Sequence, residues 1–266
     1  MINIGIAQWC LECNRVEAIY RAADLGLSAI QVDAGEIKTE SFIGNATLRK
    51  AYQEAVQNTG IEITAIAINI LNDYSLNNPA GSYKARKVWD MIQRTIDTAA
   101  LMDVELVFIP SFENGEIRTE QELMRTAEVL YQACVYAENR AISLASENTL
   151  GVKGNRKLLT LVNKPNLQIL IDSQNPVLWG YKTSNLIKEL FPYICNQVHA
   201  KDGINGIMGN ATLGTGQSDF ADTAKTLQSV GFSGYLILEN EYEQNAEIQI
   251  SHDLAIICSL FLQEIA

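Results

Sequence analysis

Ile2-Asn-Ile-Gly-Ile-Ala7-Gln8-Trp9-Cys10-Leu11-Glu12 reads as an apolar strand running into a turn. An open dinucleotide-binding sheet would place G-x-G-x-x-G at that turn, so that backbone amides can cradle a pyrophosphate. Here the turn holds Ala-Gln-Trp-Cys-Leu-Glu instead. Further strand-like runs follow at Ser28–Asp33, Ile61–Asn69, Leu106–Pro110, Ala141–Glu147, Leu167–Asp172, Gln197–Ala200 and Tyr235–Glu239. Between them lie amphipathic stretches: Val16–Leu25, Leu48–Thr59, Tyr83–Met102, Glu120–Asn139, Arg156–Val162, Ser184–Leu190, Phe220–Val230 and Glu247–Glu264. Ile92, Ile96, Ala99 and Ala100 show the three-and-four spacing of one helix face. Gly26, Gly60 and Gly231 sit where a helix stops and the chain turns into the next strand. Strict strand–helix alternation, eight of each, without a dinucleotide motif predicts an α/β fold, a single (β/α)8 TIM barrel over residues 1–266.

The composition is that of a globular chain with a large core: 47% hydrophobic, 19% charged. No apolar run reaches the roughly 18 residues of a membrane span. The first residues lack a basic region and a cleavage site, so they read as a strand, and a cytoplasmic location is expected. A net charge of −11 argues against nucleic acid and anionic membrane as partners, since both need a basic surface. The five cysteines read as reduced thiols, and the Cys10/Cys13 pair lacks the second Cys or His pair of a structural zinc site.

In a barrel the chemistry sits at the C-terminal strand ends. Strands five to eight end in Glu147, Asp172, His199 and Glu239. Singly, each has an ordinary reading. Glu147 can cap, Asp172 can turn the chain, His199 can be a core histidine, and Glu239 can be one charge of the acidic stretch with Glu241 and Glu243. Together they form a hard ligand set of three carboxylates and an imidazole for one divalent metal: Mn2+, Mg2+ or Co2+, with Zn2+ admissible. About two positions of an octahedron stay open for substrate oxygens. Such a cation closes the gap between a carboxylate of pKa ~4 and the weak acidity of a C–H beside a carbonyl. Glu147 and Glu239, on either side of it, are the candidate acid–base pair.

Around this set stand Lys201, a partner for an oxyanion or for a neighbouring acid, and Asn175. Trp9 and Trp179 read either as covers for a sugar's apolar face or as plain core. Asp33 and Asn69, ending strands two and three, are candidate hydroxyl binders. The Gly214-Thr-Gly216 loop reads either as a phosphate cradle or, more simply, as a tight turn.

These residues give the chain a resemblance to a known family. Ser-Glu147-Asn, Ile-Asp172-Ser-Gln-Asn175-Pro, His199-Ala-Lys201-Asp202, Leu-Gly214-Thr-Gly216-Gln-Ser-Asp219-Phe220 and Gly231-Phe-Ser-Gly234-Tyr-Leu-Ile-Leu-Glu239 resemble the xylose-isomerase-like TIM-barrel superfamily. The nearest branch is that of sugar phosphate isomerases and epimerases, including inosose isomerases and hexulose-phosphate epimerases. The resemblance implies that Glu147, Asp172, His199 and Glu239 bind one cation, and that the two glutamates exchange protons with substrate. Many members carry histidine where this chain has Asn175, and free-ketose 3-epimerases tend to carry an arginine where Ala200–Phe220 has none. Those departures set the chain apart from that substrate class, and its Lys201-Asp202 and Leu-Gly214-x-Gly216-x-x-Asp219-Phe220 patterns look closer to inosose-type and hexulose-phosphate members.

The expected function is therefore a metal-dependent isomerase or epimerase acting on a small sugar, inosose or sugar phosphate. A dehydratase using the same metal and base is the alternative. A non-catalytic sugar-binding barrel and a nuclease related to endonuclease IV stand further off. The nuclease reading needs several extra histidines, and the chain holds only His199 and His252. A homo-oligomer is compatible with the family, though no helix shows a decisive apolar outer stripe.

Overall fold

In the computed structural model, which describes residues 1–13, 15–242 and 246–261, the eight parallel strands close into a barrel in chain order. They are β1 (Ile2–Ala7), β2 (Ala29–Asp33), β3 (Glu62–Ala67), β4 (Leu106–Ser111), β5 (Ser143–Asn148), β6 (Leu167–Asp172), β7 (Ile194–Ala200) and β8 (Gly234–Leu238). The helices between them are α1 (Glu17–Asp24), α2 (Ala46–Thr59), α3 (Tyr83–Leu101), α4 (Glu120–Glu138), α5 (Val152–Val162), α6 (Asn175–Leu178), α7 (Thr183–Leu190), α8 (Phe220–Ser229) and α9 (Ala246–Phe261). The α/β barrel read from the sequence is the fold. Glu243 and the last helical stretch beyond Phe261 lie outside the described residues.

Local chemistry sets most boundaries. β4 is buried at all six positions, as a strand covered on both faces should be. On α3, Val88, Met91, Ile92, Thr95, Ile96 and Ala99 form the buried stripe. Helix α4 starts at a capping box, with Thr119 accepting from the Glu122 amide and Glu122 reaching back to the Thr119 amide.

The differences from the sequence reading are local. Helix α2 starts two residues earlier than its apolar pattern because Asn45 Oδ1 accepts from the Thr47 amide at 2.9 Å. Strand β5 starts at Ser143, after Ala141 has turned through a left-handed φ of 56°. Strand β3 stops at Ala67, so Asn69 does not end a strand; it opens the 3-10 turn Asn69–Asn72 and is half-buried. Helix α6 is an addition, a single turn with Pro176 in its first positions.

By proximity of Cα atoms the chain groups into two compact units. One comprises Met1–Ile30, Gly60–Glu62 and Leu170–Ala266; here β1 pairs with β8, and β8 with β7. The other comprises Gln31–Thr59 and Ile63–Ile169, where β3 pairs with β4, and β4 with β5.

Candidate active site

Parallel register brings the last residues of consecutive strands to one level. His199 pairs with Ile237 and Ala200 with Leu238, and the Glu239 amide then donates to Ala200 O at 3.0 Å. The end of β6 is tied to β7 through Ser173. Its amide donates to His199 O, its hydroxyl donates to Lys201 O at 2.6 Å, and it accepts from the Lys201 amide at 2.8 Å. Backbone bonds therefore fix Asp172, His199, Lys201 and Glu239.

Ligand atoms of Glu147, Asp172, His199 and Glu239 all lie within 4.8 Å of one another, and all four residues are buried. Asp172 Oδ1 accepts from the Gln174 and Asn175 amides, both at 2.6 Å, which starts α6 and aims Oδ2 at Lys201 Nζ, 3.3 Å away. Glu239 Oε2 lies 3.0 Å from His199 Nδ1 and 2.5 Å from Lys201 Nζ, and its Oε1 accepts from the Trp9 indole at 3.0 Å. Burial pushes the Glu239 carboxyl up, but the charges and hydrogen bonds of His199 and Lys201 outweigh it and hold Glu239 well below the usual carboxylate range.

These residues fit a divalent cation. Three carboxylates crowd one imidazole and the Lys201 ammonium in a buried space, an excess of acidic groups that is costly unless balanced. The donors are hard oxygens plus one imidazole, a set that could hold a divalent metal.

A cavity of about 430 Å³ opens beside Glu239. Trp9, Leu11, Met208 and Tyr242 supply much of its wall, Lys201 lies in it, and the exposed Glu12 and Glu241 line it too. Trp9 belongs to this site, in the short 3-10 turn Gln8–Cys10, with its ring edge-on to His199 at 6.4 Å. Trp179 is not among the residues lining this cavity. It follows α6, half-buried, its amide returning to Pro176 O. Asn175 is buried at the start of α6, and Asp33 ends β2 with Oδ2 accepting from the Gly35 amide at 3.1 Å.

Lys201 stands in ion-pair range of Asp172 and Glu239. Its neighbour Asp202 does something else. The buried Asp202 carboxylate accepts from the amides of Gly203, Gly214, Gly216 and Ser218 at 2.8–2.9 Å. The glycine loop is thus a turn wrapped around an aspartate, and its amides are spent. A Cβ at Gly216 would lie 2.3 Å from Asp202 Oδ1, so no larger residue fits there.

Three residues that sequence reasoning passed over complete the surroundings. Gln174 donates to Ile207 O and accepts from the Gly209 amide, both at 2.9 Å, which pins the segment carrying Met208. Asp253, on α9, accepts from the Leu213 amide, Asn240 Nδ2 and the Tyr242 hydroxyl at 2.7–2.8 Å. Asn240 in turn accepts from the Asp202 amide. A carboxylate inside an otherwise apolar helical run was the available signal for Asp253. His252, beside it, is exposed on α9.

A family model described as xylose isomerase-like TIM barrel matches residues 19–260. A curated relative, the 2-epi-5-epi-valiolone 7-phosphate 2-epimerase of Actinoplanes sp., is 31% identical over 253 residues, spanning 95% of this chain and 92% of the relative. Among solved structures, L-ribulose 3-epimerase superposes with a TM-score of 0.82 at 17% identity, covering 99% of this chain and 95% of that one. The xylose isomerase domain protein from Planctomyces limnophilus gives 0.79 at 18% identity, covering 98% and 96%. At such identities the two structures speak to the fold, and the epimerase relative speaks to the family.

Proposed function

We propose that this chain, which belongs to the xylose isomerase-like TIM barrel family and is an isomerase/epimerase, inverts a stereocentre beside the carbonyl of a small keto-polyol, with Glu147 and Glu239 as its acid–base pair. The observation that carries this reading is the buried set of three carboxylates and one imidazole with ligand atoms within 4.8 Å. Such a set serves proton transfer at carbon, and the curated relative is a 2-epimerase.

Glu147, Asp172, His199 and Glu239 would hold the cation. When bound, a divalent ion supplies electrophilic stabilisation of the substrate oxygen that gathers negative charge. The chain's own residues do the rest. Glu239, held ionised by His199 and Lys201, takes the proton from the carbon next to the carbonyl. The C–H electron pair moves into a C=C bond, and the carbonyl oxygen becomes an enolate. Glu147 in its acid form then returns a proton to the opposite face of the same carbon, and the carbonyl re-forms. The reverse reaction exchanges the two roles. Trp9 keeps one Glu239 oxygen in place, and Asn175, beside Asp172, is the proposed hydroxyl partner. We assign the metal to Mn2+, Mg2+ or Co2+ on the hardness of the donors.

The test is deuterium uptake from D2O into carbon, with Mn2+ present, across ketoses, inososes and their phosphates. Exchange without net loss of water from the substrate is expected. A panel with no exchange in any member ends the epimerase reading, and an ultraviolet-absorbing enone would convert it to a dehydratase.

A further inference from the structure

We infer that the cavity beside Glu239 selects against an anionic substituent, so that the part of the substrate entering it is uncharged. The inference rests on the epimerase reading for what the ligand is, and it sharpens that reading by setting its charge. It departs from the curated relative, whose name specifies a 7-phosphate.

Two groups near Glu239 that could meet a phosphate are otherwise engaged. The glycine loop gives the amides of Gly214, Gly216 and Ser218 to Asp202, a carboxylate standing where an oxyanion would sit. Lys201 gives its ammonium to Glu239 at 2.5 Å and Asp172 at 3.3 Å. The cavity itself then offers the exposed carboxylates of Glu12 and Glu241, with the Lys201–Glu239 ion pair in its lining. Glu241 is fixed there, because its amide donates to Gly209 O at 2.9 Å while Gln174 holds the Gly209 amide from the other side.

Between these acids the wall is carbon: Trp9, Leu11, Met208 and Tyr242, whose hydroxyl is taken by Asp253. Such a wall suits the C–H face of a polyol ring. A phosphate ester carries about −1.5 to −2 at neutral pH. Placed beside the Glu12 and Glu241 carboxylates it meets like charge, moderated by the solvent that reaches both side chains.

Calorimetry on the Mn2+-loaded protein, comparing a keto-inositol with its phosphate monoester, tests this directly. The neutral ligand is expected to bind about tenfold more tightly, and Glu12→Gln with Glu241→Gln is expected to narrow that ratio to about threefold or less. An ester that binds as well as the neutral ketone overturns the inference, as does a ratio unmoved by the double substitution. Deuterium exchange run on the same samples separates the two readings. Discrimination in binding without exchange leaves the charge filter standing and removes the epimerase. Exchange with equal or better binding of the ester does the reverse.

Discussion

Two groups of buried acids in this molecule are built on opposite principles. Asp202 and Asp253 are saturated with donors, four amides for the first and an amide, a carboxamide and a phenol for the second. Glu147, Asp172 and Glu239 instead face one another and an imidazole, with Lys201 as the cation in ion-pair range. A buried carboxylate ringed by N–H and O–H donors has its charge answered and needs nothing further. Carboxylates facing one another do not, and a set placed that way could hold a cation. Saturation marks the scaffold, and mutual crowding marks the site.

The comparison breaks most visibly under substitution. Glu239→Gln removes a proton carrier, and deuterium exchange is expected to fall by roughly 10³-fold, within the range for loss of a general acid or base. Circular dichroism should stay native, because Glu239 is not a saturated scaffold acid. Asp202→Ala inverts the pattern. Four buried or half-buried amides lose a charged acceptor, and a stability loss of about 3 kcal/mol in urea unfolding is expected. If Asp202→Ala unfolds at the wild-type midpoint, the distinction between the two groups is wrong.

Metal removal sharpens the same contrast. Mn2+ at about 100 times its dissociation constant should stabilise the wild type by about 2.7 kcal/mol. In Glu147→Gln that gain should vanish, while the metal-free variant should melt no lower than the metal-free wild type, since a crowded charge has gone. Trp9→Phe is a smaller effect. Losing the indole hydrogen bond to Glu239 Oε1 frees the carboxylate to rotate, and kcat is expected to fall about tenfold with KM nearly unchanged. An equal loss in both constants would make Trp9 a substrate contact instead.

Much of the crowded group was legible in the sequence, and little of the saturated one was. Strands announce themselves by apolar runs, so a charge at the end of one, such as Asp172 after Leu-Gln-Ile-Leu-Ile, stands out. The barrel followed from the alternation of such runs with helical ones. Beyond its neighbour Gly203, Asp202 bonds to residues 12 to 16 positions away, and Asp253 bonds to residues 11 to 40 away, through loops with no periodicity. Neither the wrapping of the glycine loop around Asp202 nor the pairing of Gln174 with Gly209 has a local pattern to betray it. Asn69 was misplaced for a related reason. The apolar run Ile66-Ala-Ile68 continues past the point where β3 ends, and the 3-10 turn that follows uses apolar residues too.

The finest test of the contrast is the pH dependence of stability. Burial pushes the Asp253 carboxyl above its ordinary range, although its three donors pull it back. In the unfolded chain the group titrates near ~3.9. Between that value and its raised one, the folded protein still holds a proton that the unfolded chain has released. Stability from this group is therefore complete below the unfolded value and declines as pH rises through the window, with a slope of at most about 1.4 kcal/mol per pH unit. Asp253→Asn has no proton to lose, so the wild type should lose ground to the variant between pH 4 and the upper end of the window and then run parallel to it. Urea midpoints at half-unit steps, taken on metal-free protein, read this difference. A difference that stays constant, or that moves in the wild type's favour as pH rises, would show that the donors have overcome burial. Asp253 would then hold its charge at every pH where the protein is folded.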